Sequence, residues 1–121
     1  MDIERFRDYC LAKRGVTECM PFDDESLVFK VMDKMFVLLD LSGRNWTNLK
    51  CDPERALDLR DRYPDITPAY HMNKKHWNTI NLAGRLPDKL IFELIDHSYD
   101  LVVAKLTRKA KEELEGLGWK F

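Results

Sequence analysis

Between Tyr70 and Trp77 the sequence Tyr-His-Met-Asn-Lys-Lys-His-Trp gathers two imidazoles, two ammonium groups, an amide and two aromatic rings. That set suits a nucleic acid: Lys74 and Lys75 would neutralise phosphate, Asn73 and His76 would hydrogen-bond, and Trp77 would stack on a base. The same residues also fit a plainer account, with Trp77 in the core, His76 a satisfied structural histidine and the lysines a solvated turn. Arg44, Lys50 and Arg108 would extend a phosphate-tracking surface if the fold brings them together. Against this, Glu112, Glu113 and Glu115 follow Arg108, Lys109 and Lys111 at helical pairing distance, as in an ordinary salt-bridged helix. A different use of the aromatics is a pocket lined by Tyr70, Trp77 and Tyr99 for a small ligand, with a sheet face for docking a protein.

Metal and catalytic chemistry find little support. His71 and His76 lie five apart on a non-helical stretch, without the spacing that puts two ligands on one helix face. His97 beside Asp96 and Asp100 reads as an exposed, salt-linked helical residue, and Asp23-Asp24-Glu25 as an acidic run that a cation could visit. There is no P-loop, GxGxxG, GxSxG or HExxH pattern, and nothing sets a cysteine beside a histidine. The expectation is a non-enzymatic protein without a cofactor or resident metal, whose partner is DNA or another protein.

The elements that must carry these residues follow from periodicity. Ile3, Phe6, Cys10 and Leu11 make an amphipathic helix closed near Gly15. Strands are expected to begin after Ser26. Leu27 to Met32 and Met35 to Leu41 form a hairpin broken by Asp33-Lys34, the second strand having Phe36 and Leu38 on one face and both faces covered. Trp46 to Cys51 reads as a third strand, with Trp46, Asn48 and Lys50 on one side. Asp52-Pro53-Glu54 opens a helix to about Arg62, combining an N-cap, a first-turn proline and an acid at the positive end of the dipole. Pro68 to Met72 reads as extended. Trp77 to Leu82 is a strand whose Trp77, Thr79 and Asn81 leave one partly polar face open. From Pro87, Leu90, Ile91, Leu94, Ile95, Tyr99, Val102 and Leu106 stripe a long helix, followed by a charged one from Thr107 that Gly116 and Gly118 stop before Trp119-Lys120-Phe121.

Composition agrees with one domain of 121 residues: 45% hydrophobic residues supply a core, and 34% charged residues a solvated exterior. Twenty Lys and Arg against 21 Asp and Glu give a net charge of -1, so there is no global pull toward phosphate or anionic lipid. No apolar run approaches the ~20 residues of a membrane helix, so no membrane partner is expected. Cys10, Cys19 and Cys51 have no CxxC spacing, and with no signal-peptide pattern reduced thiols in the cytoplasm are expected. Nothing in the sequence fixes the oligomeric state.

Three stretches, in order, resemble the MmcQ/YjbR family: Pro21-Phe22 with Val28-Phe29-Lys30-Val31 and Lys34-Met35-Phe36; Tyr70 to Thr79; and Asp96-His97-Ser98-Tyr99-Asp100-Leu101-Val102. The resemblance covers most of the chain from about Pro21 to Leu106. It implies an α+β domain of frataxin/CyaY-like architecture, with an antiparallel sheet of about five strands covered by N-terminal and C-terminal helices. It also implies the double-wing DNA-binding label attached to that fold. A frataxin-like acidic ridge is not evident, because Asp2, Glu4 and Asp8 alternate with Arg5 and Arg7.

Overall fold

Asp2 accepts a hydrogen bond from the Arg5 backbone N–H and so starts α1 (Ile3–Leu11), which buries Phe6 and Cys10. The computed structural model describes residues 1–117; the expected stop at Gly118 and the Trp119-Lys120-Phe121 end lie outside them. Gly15, at φ +72°, turns the chain where a Cβ would come 2.5 Å from Leu114 Cδ1. Strand β1 (Val16–Cys19) follows, earlier than the expected start after Ser26. Four residues are too few for an alternation signal, and this strand is fixed by tertiary contacts: Val16 is buried and Glu18 pairs with Arg7 of α1.

The hairpin of β2 (Ser26–Val31) and β3 (Lys34–Asp40) turns on Met32 and Asp33, both at positive φ (49° and 66°), one residue before the expected break. Phe29 faces Val37 while Lys30 faces Met35, so Phe36 is the extra residue of a β-bulge. The bulge overturns strict alternation: Phe36 and Val37 both turn into the core at 0% exposure, and Met35 joins Leu38 on the opposite face.

Next come β4 (Trp46–Lys50), α2 (Pro53–Arg62), β5 (Ile66–Pro68) and β6 (Trp77–Asn81). Strand β5 overlaps the stretch expected to be extended only at Pro68; Tyr70 and His71 lie in a turn instead. The fully antiparallel sheet has six strands in the order β1-β2-β3-β4-β6-β5.

The long helix α3 (Asp88–Ala104) packs on β2, β3 and β4, and α4 (Arg108–Gly116) restarts after it with Thr107 as cap. Helices α1, α2 and α3 feed one core with the inner sheet face, around Phe6, Phe29, Phe36, Leu39, Ile80 and Ile95. Each such side chain contributes about 1.5–3 kcal/mol by leaving water. The result is a single α+β domain of two layers. Among the described residues no helix covers the other sheet face, which corrects the expectation that β3 is covered on both sides. No described helix is long and apolar enough to cross a membrane.

Candidate functional site

The uncovered sheet face follows from register. Leu38 of β3 faces Asn48 of β4, and Asn48 faces Thr79 of β6, so these three side chains project to the same side, with Trp46 and Asn81 one step along. Thr79 Oγ1 donates to Asn48 Oδ1 at 2.6 Å, and Asn48 Nδ2 donates to the Met72 thioether at 3.2 Å. Asn48 is 5% exposed, so a nearly buried amide rests one N–H on a weak acceptor.

Loops raise this floor into a cleft of about 980 Å³. One wall is the β1–β2 loop, which presents Phe22 and Asp23; Asp23 accepts from the Glu25 N–H (2.8 Å) and Ser26 Oγ (3.3 Å). The Glu25 backbone bond, more than the other contacts, holds the Asp23 carboxyl below its ordinary range. The other wall is Tyr70-His71-Met72, pinned by hydrogen bonds from Ala69 N to the Trp77 carbonyl (3.2 Å) and from Met72 N to the Ala69 carbonyl (3.0 Å). Arg44 closes one end from the β3–β4 loop. Buried Asp40 shapes that loop by accepting from Ser42 Oγ (2.8 Å) and Arg44 N (3.1 Å). Phe22 and Tyr70 are each 67% exposed, and with the half-buried Trp46 they give the cleft three aromatic sides.

The residues singled out in the sequence divide between several places. Asn73 shapes the turn: its side chain accepts from Lys75 N (3.0 Å), and its carbonyl accepts from the N–H groups of His76 (3.0 Å) and Trp77 (2.9 Å). Lys74 lies over the Tyr70 ring at 4.9 Å, and its carbonyl accepts from Arg60, whose Nε also donates to Asn78 Oδ1 at 2.7 Å. Lys75 is exposed; His76 is half-buried, its carbonyl accepting from Cys51 N at 2.7 Å. Half-buried Trp77 lies in register with Lys50 at one end of the open face. Burial and the nearby Lys105 hold the Lys50 ammonium below the usual lysine range.

Arg44 sits at the other end of β4 with its guanidinium 3.9 Å from Glu25, and Arg108 is ion-paired to Glu112 on α4. The cations therefore do not form one continuous face. Nor do Tyr70, Trp77 and Tyr99 line one pocket: Tyr99 is beneath the sheet, edge-on to Phe36, with its hydroxyl donating to the Arg14 carbonyl at 2.7 Å. Residue spacing could not say which side of the sheet α3 would take.

The Asp96-to-Tyr99 segment works inside the fold. Asp96 accepts from the Tyr9 hydroxyl (2.8 Å) and from Lys13, tying α3 to α1. His97 is not salt-linked to its acidic neighbours: its Nε2 accepts the Asp52 backbone N–H at 3.1 Å, which requires a neutral ring. Burial, with Arg55 adding to it, holds its pKa below the ordinary 6.5. Ser98, fully buried, donates to the Phe36 carbonyl (2.5 Å) and accepts from Lys50 N (3.0 Å), bridging β3 and β4 just beyond their last paired residues, Val37 and Leu49.

Among the described residues no three His, Cys, Asp or Glu side chains converge as metal ligands. The three cysteines are free; burial pushes the Cys10 thiol up and that of Cys51 up to about 11, away from the reactive thiolate. The cleft floor itself, Asn48 with Thr79, was not singled out by sequence. Its signal was the polar alternation of Thr79 and Asn81.

Comparison with known proteins gives a consistent set of relatives. The family described as YjbR matches residues 11–101. The chain is 36% identical over 115 residues to the uncharacterized protein YjbR of Escherichia coli (strain K12), covering 94% of this chain and 98% of that one. It is 39% identical over 97 residues to the uncharacterized protein YbdF of Escherichia coli O157:H7, covering 79% and 80%. The crystal structure of Deinococcus radiodurans protein DR2400, a DUF419 domain, superposes with a TM-score of 0.88 at 41% identity, covering 93% of this chain and 87% of that one.

Proposed function

This chain belongs to the YjbR family, and from the geometry of its open sheet face we propose that it is a binding module holding a small organic ligand in the cleft between Phe22 and Tyr70. The observation that carries the reading is the cleft itself. Its volume of about 980 Å³ falls in the range of ligand sites, and its aromatic and thioether walls surround a few fixed polar groups. Exposing Phe22 and Tyr70 to water serves no packing purpose, and an occupant would cover both. Three unbridged cysteines support a cytoplasmic setting.

Thermal-shift screening against a metabolite library tests this. Compounds that raise the melting temperature of the native chain and fail to raise it in Phe22→Ala and Tyr70→Ala support the reading. A screen in which every stabilising compound acts equally on both variants refutes it.

A nucleic-acid role is favoured by one observation: Lys50, Lys74 and Lys75 carry no acidic partner among the described residues and lie at the Trp77 end of the face. Binding to single- and double-stranded DNA titrated with salt is its test, because phosphate contacts make affinity fall steeply as salt rises. Absence of binding at low salt removes it.

A further inference from the structure

The polar groups of the cleft narrow the class of ligand. Asn48 offers an amide N–H from the floor, and among the described residues that amide donates only to a thioether. Its oxygen is already taken by Thr79, so the free capacity at the floor is that of a donor awaiting an acceptor. Phe22, Trp46 and Tyr70 bound the same space, and Met35 and Met72 add polarizable sulfur that adapts to flat rings. The charges at the walls are Asp23 and Asp65 against Arg44, which donates to Ser42 Oγ (2.8 Å) and lies 3.9 Å from Glu25, and Lys74, whose ammonium sits over the Tyr70 ring at 4.9 Å. The two carboxylates and two cations balance, so an anionic ligand gains no net attraction to offset the water it loses.

Resting on the binding-module reading above, we propose that the cleft takes a planar, uncharged heteroaromatic molecule whose edge carbonyl or ring nitrogen accepts the Asn48 N–H while its faces rest against aromatic rings of the lining, Trp46 with Phe22 or Tyr70. Discrimination then has three sources. Stacking supplies most of the affinity, the Asn48 bond fixes orientation, and a carboxylate or phosphate substituent loses its hydration without a net opposite charge to replace it.

Three probes separate these contributions: pterin, flat and neutral with edge acceptors; pterin-6-carboxylate, the same ring as an anion; and indole, flat but without an edge acceptor. Affinities come from calorimetry, and the site from ¹H–¹⁵N spectra of the Asn48 side-chain amide and Trp46 indole. Pterin should bind about 10-fold more tightly than either other probe and shift both resonances. Tyr70→Ala and Phe22→Ala, exposed enough to leave the fold intact, should each weaken it by about 10-fold, the scale of one lost aromatic stack. Pterin-6-carboxylate or indole binding as tightly as pterin, with shifts at Asn48, overturns the ligand class and leaves the binding module standing. No shift at Asn48 or Trp46 with any of the three overturns the ligand class, and the binding module is then decided by the thermal-shift screen alone.

Discussion

Replacing Ser98 by alanine removes one oxygen from the interior, and its cost can be worked from the two bonds that oxygen makes. The Phe36 carbonyl loses its 2.5 Å donor, and the Lys50 N–H loses its 3.0 Å acceptor. The β3–β4 pairing ends at Val37 and Leu49, one residue before these two groups, and the Ser98 hydroxyl stands between them. The carbonyl is sealed beside a fully buried side chain, so it bears the penalty of an unsatisfied polar group, about 1–3 kcal/mol. Lys50 is half-exposed, and its N–H is charged only the net value of an ordinary hydrogen bond, about 0.5–1.5 kcal/mol. The sum, about 1.5–4.5 kcal/mol, is a large share of the roughly 5–15 kcal/mol that holds a domain folded. Urea unfolding followed by circular dichroism should show that loss, with a melting temperature lower by on the order of 10 °C. Hydrogen exchange at the Lys50 amide should accelerate more than at Leu49. A loss below about 1 kcal/mol with Lys50 protection unchanged would refute the account of Ser98 as the bridge between β3 and β4.

Gly84→Ala should destabilise the fold by about 1–3 kcal/mol, because its Cβ would fall 2.3 Å from the Asp65 carboxylate that accepts from Arg85 N and Asn81 Nδ2. In an Asp65→Ala background the same change should cost much less, which a double-mutant cycle by urea unfolding reads directly. For His97 the folded pKa lies below the unfolded 6.5, so the unfolded chain takes up the proton first. Its contribution is full above 6.5 and is lost as pH falls through the folded value. Unfolding free energy measured from pH 7.5 to 5 should therefore fall less steeply in His97→Ala, with Asp52, Arg55 and Asp100 unchanged around it. Phe22→Ala and Tyr70→Ala should each alter stability by less than about 0.5 kcal/mol in the same assay, since both side chains project into the cleft mouth.

Local chemistry made parts of the fold legible in the sequence. Asp52 caps α2 through the Arg55 N–H at 3.1 Å, with Pro53 in the first turn, as three adjacent residues dictate. The open face was foreshadowed by Thr79 and Asn81, whose polarity on alternate positions has no use against a helix layer. What stayed hidden depends on contacts distant in sequence. Alternation cannot see the bulge at Phe36, because a run of Met-Phe-Val-Leu-Leu is apolar in either phase. Asn48 looks like any polar strand residue until register sets it beside Thr79, 31 positions away. Tyr99 falls on a helical stripe that fixes the helix and not the side of the sheet it covers.

The cleft walls rise from opposite edges and opposite ends of the sheet, one between β1 and β2 and the other between β5 and β6. The floor is a ladder locked into the core on its reverse side, while the rims belong to connections that bury little. Selection, or an engineer, could therefore exchange the exposed residues of either rim, Phe22 or Tyr70 among them, without disturbing the ladder, so long as Met72 keeps its sulfur on Asn48. The scaffold separates what must be kept to fold from what can be changed to recognise something new.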